Sequence, residues 1–378
     1  MKKVCFFVLV CCFFSCSQKK SEVSFDSSFL SGKLDSVVKH TDNFYEVFIY
    51  PAFEPVNQSP WFAFSVASET KKQLTIKLNY GKYKHRYVPK ISTDKKHWKP
   101  INSTNLYIDS LGNATITIIS TPQKMFIAAQ EIESTTDTYA WIDEILKEKS
   151  IKRTVIGKTV LKKDIYALEH DNDTVKKSIV LIARQHPPEI PGGSIGFKAF
   201  YLFLISNDKL ALAFRKKFNI YTIPLLNPDG VDAGNWRHNA NGVDLNRDWI
   251  DFSQPETIAV KNFINNKITE GKSINFAIDF HTSYSGPYML VLDSVKNSTK
   301  NKIIPKWIEN IQKESDFIVE ARPRSQELPY CYNYFINTFN CEAITYEEGD
   351  EIDRDLIKQR AQWYAKNLIK TLLNDKEI

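Results

Sequence analysis

The residues best suited to chemistry stand at the ends of two hydrophobic segments. Residues 177–183 are typical of a buried strand, and His186 and Glu189 follow it, three residues apart. Residues 273–280 form a second such segment, which runs directly into His281. Two imidazoles and one carboxylate, delivered from strand ends, are the ligands of a catalytic zinc ion whose fourth position is left for water. The pattern therefore predicts one Zn²⁺ bound by His186, Glu189 and His281.

A long polar segment, residues 227–248, lies between these two groups of ligands. It contains three Gly, one Pro, five Asn and four Asp, a composition that forces turns. A polar loop of this length in a compact domain is usually functional or disordered. Trp236, Arg237 and Arg247 argue against disorder. We therefore expect an ordered functional loop in preference to a solvated insertion.

Five motifs follow one another in an order and spacing that resemble the M14 family of zinc carboxypeptidases. They are His186-x-x-Glu189, Asn227-Pro-Asp-Gly230, Gly242-Val-Asp-Leu-Asn-Arg247, a strand ending in His281, and Thr345-Tyr-Glu-Glu-Gly-Asp350. The form Asn-Pro-Asp-Gly-Val-x-x-Gly-Asn-Trp-Arg is closest to the cytosolic-carboxypeptidase-like branch. The resemblance covers roughly residues 140–375, with a weaker likeness in the N-terminal region. It implies a zinc-dependent peptidase.

The resemblance also implies a general base. The family motif places a glutamate directly after the aromatic residue of the last motif, which here is Tyr346, so Glu347 is the candidate. Glu348 is the rival. Successive side chains of a strand point to opposite faces, so only one of the two carboxylates is expected to face the site.

Four residues of the polar loop acquire roles from the same resemblance. Arg237 looks like the donor to the developing oxyanion, and Asp244 looks like the carboxylate that orients a zinc-bound imidazole, plausibly that of His186. Asn246 and Arg247 look like the clamp for the terminal carboxylate of the substrate, for which a guanidinium fork is well suited.

The segment that should form the specificity pocket does not align cleanly with pancreatic-type enzymes. Tyr330, Tyr332 and Tyr334 are all candidates for a tyrosine that assists catalysis. Arg322 and Arg324 lie near the expected pocket, which motivates the hypothesis that the preferred C-terminal residue is acidic.

The arrangement of apolar segments predicts two domains. Residues 25–135 carry six or more short aromatic or β-branched runs separated by turns, which favours an all-β antiparallel sandwich. In residues 139–378 strands alternate with amphipathic helices, which favours a three-layer α/β/α sandwich with a mixed sheet. The active site of such a fold belongs at the carboxyl ends of the strands. We read the β-sandwich as a scaffold beside the cleft.

The N-terminus is typical of an exported protein. Lys2 and Lys3 precede an apolar run that is too short for an ordinary membrane span. Phe-Phe-Ser-Cys16 resembles a bacterial lipobox, which predicts a signal peptide over residues 1–16, a lipid on Cys16 and a tether over residues 17–24. We expect a bacterial lipoprotein anchored in the membrane, on its periplasmic or cell-surface face. Plain signal cleavage elsewhere is the alternative.

The charge and the cysteine content give less information about function than these motifs do. The formal net charge is +6 and no block of like charges is present, so a nucleic-acid partner is not expected. After the signal and Cys16, only Cys331 and Cys341 remain, and they are expected either to form a disulfide or to be two buried thiols.

A second hydrolase motif also occurs. Gly192-x-Ser194-x-Gly196 fits the serine-hydrolase pattern, but it does not follow a strand directly. Ser194 is expected to cap a helix instead. The leading function is a zinc carboxypeptidase acting on peptides. The alternatives are an amidase or carboxypeptidase of cell-wall peptide stems, and a binding lipoprotein without catalysis.

Overall fold

A computed structural model describes residues 22–147, 151–293 and 303–375. The predicted signal peptide with Cys16, and the tether up to residue 21, lie outside these ranges. Within them, no helix combines the length and the apolar character that a membrane crossing requires.

The N-terminal part of the described chain is a β-sandwich of two five-stranded sheets, with the orders β1-β4-β10-β6-β7 and β2-β3-β5-β9-β8. Its strands are β1 Val23–Asp26, β2 Ser36–Lys39, β3 Phe44–Phe48, β4 Ala63–Ser68, β5 Lys72–Asn79, β6 Lys90–Ser92, β7 Lys99–Pro100, β8 Leu106–Ile108, β9 Ala114–Ser120 and β10 Met125–Ala128. Inward side chains such as Val47, Phe64 and Ile116 from both sheets share one hydrophobic core. The predicted all-β sandwich is confirmed, although β3 and β5 pair in parallel.

The second part is built on one eight-stranded sheet with the order β11-β12-β14-β13-β15-β18-β16-β17. Its strands are β11 Lys152–Lys158, β12 Asp164–His170, β13 Lys177–Ala183, β14 Asn219–Ile223, β15 Ser273–Ser283, β16 Tyr288–Leu292, β17 Ala321–Arg324 and β18 Glu342–Gly349. The strands β14, β13, β15 and β18 are parallel neighbours, whereas β11, β12 and β16 add antiparallel pairs. The sheet is therefore mixed, as the sequence predicted.

Helices cover both faces of this sheet. They are α1 Thr135–Ile145, α2 Phe197–Leu204, α3 Lys209–Arg215, α4 Pro228–Ala233, α5 Pro255–Thr269, α6 Ile303–Glu314, α7 Cys331–Phe339 and α8 Arg354–Asn374. One hydrophobic core joins the sheet to α1, α2, α3, α6 and α8, and a second joins the opposite face to α5 and α7. Alternate residues of β13 enter the two cores, with Leu181 in the first and Ile182 in the second. The three-layer α/β/α prediction is confirmed.

Three adjacent parallel strands end at the same edge of the sheet. In the register of β13 with β15, Ala183 lies beside Phe280, and in that of β15 with β18, His281 lies beside Glu347. Because the carboxyl ends of parallel strands meet at one edge, side chains far apart in the sequence are brought together there.

The β-sandwich contacts the segment that follows β18. Arg86 binds both oxygens of Asp350, through Nε at 2.7 Å and Nη2 at 3.0 Å. One residue further on, Glu351 accepts from the backbone N–H of Val88 at 3.0 Å and from Lys90 Nζ at 2.6 Å. The sandwich is thus fixed directly beside the sheet edge where the candidate ligands meet.

One local expectation is wrong. Ser194 does not cap a helix: it lies in a π-helical turn, Pro191–Gly196, and its hydroxyl donates to Glu133 Oε2 at 2.5 Å. A capping residue must precede the helix so that its side chain can accept from the first free backbone N–H groups. Ser194 lies inside the turn, so its hydroxyl donates to a neighbouring carboxylate instead.

Candidate active site

The three candidate ligands converge on one point. Glu189 bridges both imidazoles, with Oε1 2.8 Å from His186 Nδ1 and Oε2 2.7 Å from His281 Nδ1. The two Nδ1 atoms are 3.1 Å apart, and both rings are buried. The three ligand atoms lie within 4.8 Å of one another, as a single metal ion requires.

The donor set fits zinc. In a tetrahedral site with bonds of about 2.0–2.2 Å the ligand atoms are about 3.3 Å apart, close to the separations found here. The outer nitrogen of each ring is bound to a carboxylate, His186 Nε2 to Asp244 at 2.8 Å and His281 Nε2 to Asp279 at 2.7 Å. A proton held on Nε2 by a carboxylate leaves Nδ1 free to bind the metal.

Asp279 is a member of the site that the sequence analysis missed. It is 1% exposed, and its Oδ2 accepts from Gln185 Nε2 at 2.7 Å as well as from His281. A signal was present, because Asp279 precedes His281 by two residues on β15 and period-2 alternation places both on one face.

The charges around His186 hold Asp244 in its ionised form. Burial by itself would raise the pKa of Asp244, but His186 and Arg237 outweigh that cost and lower it. Arg237 Nε donates to Asp244 Oδ2 at 2.6 Å while Oδ1 faces His186. One carboxylate therefore connects a candidate ligand to the candidate oxyanion donor.

Glu347 faces the cleft and Glu348 does not. Glu347 lines the same cavity as the three ligands, and its buried Oε2 has no hydrogen-bond partner among the described residues. Burial raises the pKa of Glu347 to about 7. Glu348 is fully buried on the other face of β18, where Arg360 binds it through Nε at 2.9 Å and Nη2 at 2.7 Å and the Tyr346 hydroxyl donates to it.

The loop residues Arg237, Asn246 and Arg247 all line the cavity, which has a volume of about 250 Å³. Asn246 Oδ1 accepts from the backbone N–H of Cys331 at 2.9 Å, and its Nδ2 lies 3.3 Å from His281 Nε2. The Arg247 guanidinium lies 4.4 Å from the centre of the Tyr330 ring, and its closest carboxylate oxygen, on Asp244, is 3.9 Å away. Its side chain is 41% exposed, so Arg247 presents a largely unpaired positive charge to the cleft.

The structure separates the three candidate tyrosines. Tyr330 lines the cavity, whereas the hydroxyl groups of Tyr332 and Tyr334 are buried away from it. Three further lining residues, Asn57, Ser59 and Arg86, belong to the β-sandwich. No sequence signal connected them to the site.

A close backbone approach supports the ligand loop. A Cβ on Gly192 would lie 1.7 Å from the carbonyl oxygen of His281, a distance that no side chain can accept. The N–H of Gly192 donates to Thr282 Oγ1 at 2.8 Å. Glycine is therefore required where the turn after Glu189 crosses β15.

The remaining candidates lie off the cavity. Arg322 stacks on the outer side of Tyr288 at 3.6 Å and binds Glu320 through Nε at 2.7 Å, and Arg324 lines a separate surface depression. Cys331 and Cys341 are both buried and free, so the described chain has two thiols here and no disulfide.

The sequence profile of the zinc carboxypeptidase family, M14, matches residues 138–365. The chain belongs to this family. The match includes both zinc-ligand motifs, the polar loop and β18, so the predicted family is confirmed and zinc is the metal that the three ligands fit.

Relatives of this M14 chain include two cytosolic carboxypeptidases. Cytosolic carboxypeptidase 6 of Caenorhabditis elegans is 30% identical over 265 residues, which are 64% of this chain and 58% of the relative. The protein of the same name from Mus musculus is 27% identical over 335 residues, 80% of this chain and 62% of the relative. The chain thus spans about 60% of the length of these relatives.

Solved structures share the whole two-part fold. A metallo-carboxypeptidase from Burkholderia cenocepacia superposes with a TM-score of 0.75 at 21% identity, over 93% of this chain and 98% of the other. A metallo-carboxypeptidase from Pseudomonas aeruginosa, solved in complex with (2-guanidinoethylmercapto)succinic acid, gives a TM-score of 0.76 at 20% identity, over 92% and 98% of the two chains. The combination of a β-sandwich with an M14 sheet is therefore found in solved metallo-carboxypeptidases from bacteria.

Proposed function

We propose that this M14 chain is a zinc-dependent carboxypeptidase that releases the C-terminal residue of peptides. One observation carries the proposal. A single cleft combines three zinc ligands, a buried carboxylate oxygen, Glu347 Oε2, without a hydrogen-bond partner among the described residues, and the half-exposed guanidinium of Arg247. A binding protein has no need to keep an unpaired carboxylate buried beside a metal site, because such a group costs stability.

Substrate orientation falls to Arg247 and Asn246. The guanidinium of Arg247 keeps free N–H donors and is held in place by the Tyr330 ring, so it can form a two-pronged contact with a terminal carboxylate. The amide nitrogen of Asn246 carries two N–H donors, one of which faces His281 Nε2, so the other can donate to the substrate. Holding the last residue at this end of the cleft places the peptide bond before it over His186, Glu189 and His281.

Proton transfer falls to Glu347. Zinc, when bound, acts as a Lewis acid on the peptide carbonyl and lowers the pKa of a coordinated water toward about 7. Glu347 takes a proton from the attacking water and passes it to the leaving amine nitrogen. Burial raises the pKa of this carboxyl to about 7 before a metal is bound, which makes Glu347 a stronger base than an ordinary glutamate.

Arg237 supports the developing charge. Its Nε donates to Asp244 at 2.6 Å, which leaves the two terminal nitrogens to donate to the oxyanion. Asp244 and Asp279 hold the two imidazoles in the orientation that exposes Nδ1.

The proposal is tested by zinc content together with a peptide library. We expect about one zinc per chain by atomic emission, and loss of exactly the last residue from free-acid peptides in mass spectrometry. Peptides with an amidated C-terminus are expected to resist, because Arg247 then has no carboxylate to bind. Equal cleavage of amidated peptides would favour an amidase, and stoichiometric zinc without any cleavage would favour a binding protein.

The preferred C-terminal residue is a separate question. Arg322 and Arg324 suggested an acidic preference in the sequence, but both lie off the cavity, and Arg247 is assigned to the terminal carboxylate that all substrates share. Release rates of Glu, Lys and Phe from matched peptides decide the preference.

We also propose that the chain is an exported bacterial lipoprotein, with a signal peptide over residues 1–16, a tether over residues 17–24, and the two domains over residues 25–135 and 139–378. The lipobox-like Phe-Phe-Ser-Cys16 supports this. Fatty-acid labelling of the wild type and of Cys16→Ser tests it. Equal labelling of the two chains would exclude Cys16 as the lipid site.

A further inference from the structure

The residue before Arg237 belongs to the core of the other domain. Trp236 is 1% exposed and is part of the hydrophobic cluster of the β-sandwich, although it lies in the polar loop of the α/β domain. Its ring meets those of Tyr80 at 6.5 Å and Tyr83 at 5.2 Å, both edge to face. Such aromatic contacts hold a side chain in a defined position beyond the effect of burial.

Hydrogen bonds reinforce this anchor on the main chain. Ser59 Oγ donates to the carbonyl oxygen of Trp236 at 3.1 Å, and the backbone N–H of Ser31 donates to the carbonyl oxygen of Asp232 at 2.8 Å. The indole Nε1 of Trp236 is buried without a hydrogen-bond partner among the described residues. The side chain is therefore held by packing, and its N–H contributes nothing to the anchor.

The position of Arg237 depends on this anchor. On its functional end Arg237 has one carboxylate contact, to Asp244 at 2.6 Å, around which the guanidinium can pivot. The backbone on its N-terminal side is fixed by Trp236 in the sandwich. A side chain that is held at both ends has a defined direction, whereas one that is held at a single end does not. A misplacement of about 1 Å in a catalytic group can cost about 100-fold in rate.

We infer that Trp236 is a positioning residue through which the β-sandwich sets the place of Arg237. The inference rests on the proposed oxyanion role of Arg237 and deepens it. The β-sandwich then contributes to catalysis, because the burial of Trp236 in its core determines the direction of the Arg237 side chain. Without this anchor Arg237 keeps its positive charge but no longer points at the oxyanion.

The experiment compares kcat and KM for one free-acid peptide in the full-length zinc-loaded protein. The variants are Trp236→Leu, Trp236→Phe, Arg237→Gln and the double variant Trp236→Leu/Arg237→Gln. Phe64→Ala is the matched control, because Phe64 is a buried aromatic residue of the same core whose ring contacts are with Phe25 and Phe62. Thermal unfolding and zinc content are recorded for each, so that kcat refers to folded, loaded chains.

We expect Trp236→Leu to lower kcat by about 10- to 100-fold with KM within about twofold, because Arg237 acts on the transition state. Trp236→Phe keeps a ring in the core and should lose less. Phe64→Ala should lower the unfolding temperature without this loss in kcat. In the Arg237→Gln background, Trp236→Leu should cost nothing further, since residues that act through one another are not additive.

Three results would overturn the inference: additive losses in the double variant, a rise in KM at unchanged kcat, or an equal fall in kcat for Phe64→Ala. A different failure belongs to the proposed function. If Arg237→Gln keeps full kcat, Arg237 is not the oxyanion donor, whatever Trp236 does. If Trp236→Leu does not fold, the same comparison of single and double variants is made with Trp236→Phe, for which a smaller loss in kcat is expected.

Discussion

The two faces of β18 carry neighbouring carboxylates with opposite surroundings. Glu347 points into the cleft, where no described residue forms a hydrogen bond with its Oε2, and Glu348 points to the α8 side, where it is bound by Arg360 and Tyr346. Both come from one strand with period-2 alternation. The same residue type therefore becomes a reactive group on one face and a structural group on the other.

The contrast extends to the layers on either side. Glu133 lies with the structural face, where Lys198 and Ser194 bind it. Asp279 lies with the cleft face, beside His281. Removal of a group on the cleft face should change metal binding or the reaction rate with little effect on stability. Removal of a group on the structural face should lower stability with little effect on metal binding or rate. Four variants test this division.

The largest effect is expected for Glu347→Gln. Loss of the general base should lower kcat by about 10²- to 10⁴-fold. Zinc content and unfolding temperature should stay at the wild-type level or rise, because the amide removes a buried charge without a partner. Peptide release followed by mass spectrometry measures it. A kcat within fivefold of the wild type would remove Glu347 from the mechanism.

For Glu348→Gln the expected loss is in stability. Breaking a buried, two-pronged pair with Arg360 costs about 3–5 kcal/mol, because the guanidinium stays buried without its charge partner. Denaturant unfolding measures it, and kcat of the folded fraction should change by less than about twofold. The control is the double variant Glu348→Leu/Arg360→Met, which removes both charges and should recover part of the loss. A large fall in kcat at unchanged stability would erase the difference between the two faces.

Low pH should reduce the stability of the structural face by protonating Glu133. Burial would raise the pKa of Glu133, but Lys198 and Arg184 outweigh it and lower the pKa to about 2. The stabilisation is therefore present above about pH 4.5 and is lost as the pH falls toward 2. Glu133→Gln should be less stable than the wild type by at most about 3 kcal/mol at pH 7, with the difference shrinking toward pH 2. Denaturant unfolding from pH 7 to pH 2.5 checks it, and a constant difference would contradict it.

The smallest effect is expected for Asp279→Asn. The amide can still accept from His281 but no longer carries the charge that favours the required proton position, so zinc affinity should fall by about 10- to 100-fold. Competition with a chelating dye measures the affinity. His281→Ala, which removes a ligand, should fall much further and serves as the reference. Unchanged zinc affinity in Asp279→Asn would show that the carboxylate only packs there.

The sequence was most informative where a pattern is local. The buried runs before His186 and His281 were read as strands because they are short, apolar and bounded by polar residues. Parallel strands end at one edge of a sheet, so the residues that follow the two strands are predicted to lie together and to form the ligand set. Alternation on β18 likewise predicted that Glu347 and Glu348 would separate, and the structure places them on opposite faces.

What the sequence could not supply are contacts between distant segments. Arg86 and Asp350 are 264 positions apart, and although Asp350 ends the last motif, nothing in that motif points to Arg86. Trp236 indicated an ordered loop, but nothing in its neighbours showed that the ring would enter the core of another domain. Asp279 is a different case, since its spacing from His281 on one strand does indicate that the two side chains share a face. Ser194 is ambiguous in the sequence, because a hydroxyl just before a helix can either cap that helix or donate to a neighbouring carboxylate.

The pairing of Arg86 with Asp350 has a consequence for biosynthesis. The N-terminal part of a chain is made first, and a separation of 264 positions takes on the order of tens of seconds to translate. Arg86 and the strands of the β-sandwich are therefore synthesised well before Asp350, and Trp236 is added to their core later. The candidate site can take its final form only after β18 and the segment that follows it have been made.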